Sequence, residues 1–179
     1  MSQRNTLVRS LHDLGLAAWF GGSLMGAVGL NGATAEARNP TERTRLSSIG
    51  WDRWAPVQIA ALVAHGVGGV GLILGNKERL MKQGESRSNT AVKTVITGLA
   101  GAAYAYSAIL GRRIANHSDE PSEGATEPTG GSTDELAGAQ RQVKVLQWVV
   151  PALTAVLVVL AAQQGEQQRP IAGLLLKRR

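Results

Sequence analysis

Four uninterrupted apolar blocks constrain this chain more than anything else in it. They are Leu14–Leu30, Pro56–Leu74, Thr94–Leu110 and Val145–Ala162, and none contains Asp, Glu, Lys or Arg. At 17 to 19 residues, each makes about 25–29 Å of helix, close to the ~30 Å hydrocarbon thickness of a bilayer. Helices of a soluble core would carry a polar stripe at the helical period, and these blocks are read as having none. The expectation is an all-α, four-helix transmembrane bundle. Leu14–Leu30 is long for the apolar region of a signal peptide and is followed by three more blocks, so it is read as a retained helix.

The blocks divide the chain. Residues 1–111 hold the first three spans (14–30, 56–74 and 94–110). Residues 112–142 are acidic, rich in Gly, Pro, Ser and Thr, and poor in large apolar side chains. Such a composition buries too little surface to offset ordering entropy, so a disordered acidic linker is expected. Residues 143–179 hold the fourth span (145–162) and a basic tail, which suits an anionic leaflet. Residues 31–53 read as a loop or short surface helix. Trp51 and Trp54 then stand at the entrance of the second span, where indole rings serve as interfacial anchors.

The net charge of +6 lies between the apolar blocks, which argues for loops beside a membrane and against nucleic acid. With the N-terminus inside, 11 of the 19 Lys and Arg fall on the inner side. That assigns both termini to the cytoplasmic side of a bacterial cytoplasmic membrane.

The segment Gly66-Val67-Gly68-Gly69-Val70-Gly71 fits G-x-G-x-x-G, but it lies inside a span, without the strand that a dinucleotide loop follows. Helix packing accounts for the glycines better. Ala18, Gly22 and Gly26, then Gly71 and Gly75, then Gly98 and Ala102 repeat small residues at spacing four, on one helix face each. Such faces let backbones approach closely in lipid.

Two histidines are candidates for polar or ligand chemistry. His65 falls near the centre of its apolar block, where an ionisable group is costly and marks function by default. The bland alternative is a neutral imidazole bonded to a neighbouring helix. His12 precedes the first block and is followed by Asp13. Counting from the block edges, His12 and His65 differ in depth by about 15 Å, too far apart to ligate one haem together. Met25 is closer to His65 in depth and would give His/Met ligation.

His12, Trp19, Gly21 and Gly22 spell H-x6-W-x-G-G. This pattern resembles the opening of copper-resistance D-type proteins and of haem-binding membrane protoporphyrinogen oxidases. The resemblance implies His12 as a haem ligand. The longer stretches LHDLGLAAWFGGSLMGAVGLNGAT and WDRWAPVQIAALVAHGVGGVGL are similar to small actinobacterial integral membrane proteins with no assigned activity.

Soluble catalysis has little to stand on, because there is no Cys, no H-E-x-x-H and no G-x-S-x-G. The leading expectation is a non-enzymatic membrane subunit without a resident cofactor, in contact with lipid and with a membrane-protein partner or a second copy of itself. The alternatives are a haem- or metal-binding redox protein using His12, His65 and Met25, and a small transporter with His65 as its only proton carrier.

Overall fold

The computed structural model describes residues 6–77 and 84–167. The basic tail from residue 169 and the charges Arg4, Arg79 and Lys82 lie outside the described residues. Among the described residues four helices are long and apolar enough to cross a membrane, and the all-α four-helix bundle stands.

Helix α1 runs Thr6–Met25, widens into a π-helical turn over Gly26–Leu30, and continues as the short α2, Asn31–Ala35. Helix α3 is Pro40–Gly75, α4 is Gly84–Asn116 and α5 is Asp134–Gln167. All extend beyond the apolar blocks, because hydropathy marks only the lipid-facing length. The clearest case is α3. Asn39 caps it by accepting from the Thr41 amide at 3.1 Å, Pro40 opens its first turn, and Glu42 sits where the helix dipole favours an anion. Pro56, which the sequence suggested as a helix start, lies inside this helix.

The buried positions alternate by three and four. On α3 the inward residues include Thr44, Ser47, Gln58, Ala61, His65 and Gly68; on α5 they include Leu136, Gln140, Val150, Thr154 and Leu157. This is the spacing of left-handed helix packing. A narrow polar stripe is therefore present on α3, contrary to the sequence reading. It faces the bundle, while Val63, Val67 and Val70 face outward. Helices α1 and α3 pack antiparallel: Val8 meets Gly71, His12 meets Gly68, Gly15 meets Ala61 and His65, Gly22 meets Trp54, and Gly26 meets Trp51.

The acidic segment was expected to be disordered over 112–142. Instead its ends belong to α4 and α5, and residues 117–133 form a compact plug on one end of the bundle. Ser122 and Thr126 are buried there. The Ser122 hydroxyl meets that of Thr44 at 3.0 Å, Gln140 donates to the carbonyls of Gly124 and Ala125, and Arg43 donates to those of Ser122 and Glu123. Composition missed this because the plug is held by hydrogen bonds to helix side chains, without an apolar core of its own.

Candidate functional site: a buried histidine pair and a polar seam

The two histidines meet. Their ring centroids are 4.2 Å apart and the planes are tilted by 37°. The expected 15 Å difference in depth is wrong, because it placed His12 at the edge of one apolar block and His65 at the middle of another as if the two blocks were aligned. The helices run past the blocks, and their antiparallel register sets His12 and His65 level.

Glycines make the meeting possible. Gly15 lies one turn after His12, and a Cβ there would sit 2.5 Å from Ala61 O and His65 N. Gly68 lies one turn after His65, and a Cβ there would strike the His12 backbone. Each histidine thus rests beside a glycine that admits the other's backbone.

The hydrogen bonds fix the His65 tautomer. Nδ1 lies 3.1 Å from the His12 carbonyl, which can only accept, so Nδ1 carries the hydrogen. Nε2 then accepts from the Thr97 hydroxyl at 3.5 Å. His12 Nδ1 donates to Asp13 at 3.0 Å. Lys93 stands within electrostatic reach of Asp13, Arg9 and His65. Asp13 lies inside α1, so the bundle holds a carboxylate that the apolar blocks did not contain.

A second polar centre follows the π-turn. The wide turn advances the inward face by one residue, so Asn31 and Thr34 point into the bundle. Asn31 Oδ1 accepts from Ser47 Oγ at 2.9 Å and from Trp51 Nε1 at 3.1 Å, and Asn31 Nδ2 donates to Gln147 Oε1 at 2.9 Å. Gln147 in turn reaches Thr126 of the plug at 3.4 Å. Sequence reasoning passed over Asn31, Ser47, Gln58 and Gln147. Their signal was available as polar residues recurring at three–four spacing on faces that otherwise carry small residues.

The remaining expected residues divide. Gly22 and Gly26 are seated as expected, but against the indoles of Trp54 and Trp51. These tryptophans are seam residues bonded to Gln58 and Asn31. Ala18 packs against the core around Trp19, and Gly71 meets Val8. Gly75, Gly98 and Ala102 are exposed.

Comparison with protein-family models, with curated proteins and with solved structures found no match. The haem expectation is tested by geometry alone. Two imidazole nitrogens on opposite sides of one metal, at ~2 Å each, lie about 4 Å apart with their ring centres farther still. His12 and His65 stack with centroids at 4.2 Å, so the pair does not fit two axial positions. His65 and Met25 do not fit either. Met25 is 56% exposed, and it lies about 20 Å along α1 from the level of His12. Among the described residues no group of three or more His, Asp or Glu side chains could hold a metal ion.

Proposed function

We propose that this chain is a non-enzymatic, multi-pass subunit of a bacterial cytoplasmic membrane, with both termini cytoplasmic, and that it associates with a second copy of itself through α4. The reading rests on one observation. Gly15, Gly22 and Gly26 on the first span and Gly68 and Gly71 on α3 are occupied by the facing helix, whereas one face of small residues on α4 is not. Gly98, Ala102 and Ala105 are exposed along α4, and a Cβ at Gly98 or Gly101 would meet nothing within 4 Å. In lipid, association relies on close backbone approach and hydrogen bonds, which is what a face of small residues offers.

The internal bonding of the histidines supports a structural part for them. Both nitrogens of His65 are engaged, one by the His12 backbone and one by α4, so the pair ties three helices together.

The test exploits a chain with no cysteine. Ala102→Cys should form a disulfide-linked dimer in native membranes, Val159→Cys on the outer face of α5 should not, and adding Gly98→Leu should abolish the Ala102→Cys product. Equal cross-linking at Ala102 and Val159, or none at Ala102, refutes the reading.

A further inference from the structure

Two long basic side chains start deeper than the apolar length of the neighbouring helices would suggest. The helix register fixes their level. Val8 meets Gly71 and His12 meets Gly68, so Arg9 stands level with Val70 of α3. Thr97 meets His65, so Lys93, one turn earlier on α4, stands level with Gly69. The apolar run of α3 continues to Leu74. At 1.5 Å per residue, Arg9 and Lys93 leave the backbone about 6–8 Å inside the end of that run. Helix α5 is apolar at the same level. Ala61 and Val150 share one layer, so Val159 lies level with Val70, and both valines are exposed. Lys93 is within electrostatic reach of Arg9 and of Asp13.

Helices α1 and α4 both begin at this end of the bundle. The Cα–Cβ bonds of a helix tilt toward its N-terminus, so both side chains lean toward the nearer membrane surface. Their stems are long enough to carry the charge up to the headgroups. Asp13, one turn after Arg9, is too short to follow and stays with His12, its Oδ1 3.0 Å from Nδ1. Two cations therefore reach one point of the surface, with a single carboxylate below them. The charge of the whole end agrees. The sequence segments 1–13, 75–93 and 163–179, which flank it, carry 11 Lys and Arg against 4 Asp and Glu, whereas the rest of the chain carries 8 against 9.

We propose that Arg9 of α1 and Lys93 of α4 together hold the headgroup phosphate of an anionic phospholipid, in the leaflet at which α1 begins. The phosphate bridges the two side chains, and its acyl chains lie in the surrounding hydrocarbon. The Arg9 guanidinium offers paired donors to two phosphate oxygens, and the Lys93 ammonium adds a point charge from the second helix. The lipid thus joins α1 to α4 at the end where the bundle opens, beside the His12–His65 pair.

Native mass spectrometry of the full chain, offered equal amounts of phosphatidylglycerol and phosphatidylcholine in detergent, tests this. Each basic residue at an anionic surface favours the charged lipid by about fivefold, and Asp13 offsets part of that. The parent chain should therefore retain one phosphatidylglycerol over phosphatidylcholine by on the order of tenfold. Arg9→Gln with Lys93→Gln should bring the two lipids near parity. Arg112→Gln with Arg113→Gln, an equal loss of charge at the opposite end, should leave the preference intact. Arg9 is exposed, so Arg9→Gln alone reads the site where the double variant fails to fold, and it should cut the preference roughly threefold. Parity of the two lipids on the parent chain overturns the proposal. So does a preference that survives loss of Arg9, or one lost equally without Arg112 and Arg113, which would mark general charge attraction. Displacement of the lipid by excess glycerol phosphate would assign the site to a soluble phosphate compound and overturn it as well.

Discussion

A single methyl group at Gly15 should do more damage than one at any exposed glycine of α4. In Gly15→Ala the new Cβ would stand 2.5 Å from both Ala61 O and His65 N. These are backbone atoms of a helix, so no side-chain rotation relieves the clash and α1 must move away from α3. Overpacking typically costs 1–3 kcal/mol; with rigid backbone on the opposing face, the estimate is about 3 kcal/mol at the upper end of that range. Gly98→Ala meets nothing within 4 Å. It should gain about 0.5–1 kcal/mol from the lost flexibility of glycine in a helix. The two variants therefore differ in sign and by about 4 kcal/mol, roughly 10³ in the folding equilibrium. Unfolding in mixed micelles by titration with sodium dodecyl sulfate, followed by tryptophan fluorescence, measures both. Gly15→Ala as stable as Gly98→Ala would refute the assigned seam between α1 and α3.

Three further outcomes are expected. Asn31→Leu strands the Ser47 hydroxyl, the Trp51 indole and the Gln147 amide oxygen; at 1–3 kcal/mol for each orphaned group, the same titration should show a loss of about 3 kcal/mol or more. Gln140→Leu removes both bonds from α5 to the carbonyls of Gly124 and Ala125, so limited proteolysis should cut the 117–133 segment faster while the helical circular dichroism holds. At the other end of that segment, His117 donates to the Arg113 carbonyl, and this bond, with Glu120, Glu135 and Asp119 nearby, raises its pKa above the ordinary 6.5. Protonation is then more favourable in the folded state, so the stabilisation is complete below 6.5 and is lost as pH rises through the raised folded value; His117→Asn should flatten that part of the stability–pH curve.

The spans were legible because lipid exposure is written as uncharged length. The helix ends were not, since residues such as Thr6–Asp13 and Pro40–Ala55 are helical without being uniformly apolar. The one boundary with a readable chemical signal was Asn39-Pro40-Thr41-Glu42, a cap followed by a first-turn proline and acid. Spacing four identified Gly22 and Gly26 but missed Gly15 and Gly68, because the seam steps by three and four in alternation. The same spacing on α4 marked Gly98 and Ala102, which face away from the bundle. A small-residue pattern states that a close approach is allowed and does not say to which helix. The histidine pair was illegible for a related reason: depth counted from hydropathy edges ignores where each helix begins.

Hydrocarbon solvates leucine as well as a protein core does, so apolar residues cannot set the register of α1 against α3. The seam sets it with groups that lipid does not tolerate unpaired. Sliding α3 by one turn would bring His65 Nδ1 away from the His12 carbonyl, remove Ser47 and Trp51 from Asn31, and drive the Trp54 indole against a residue other than Gly22. Each of these losses falls at a different height, from the His12–His65 pair to the Asn31 centre, and all of them are incurred together. Apolar side chains such as Val63 and Val67 lie outward and would notice nothing. The polar residues at three–four spacing therefore do for this bundle what a buried Asn does for a coiled coil: they select one alignment among several that the apolar surface would accept.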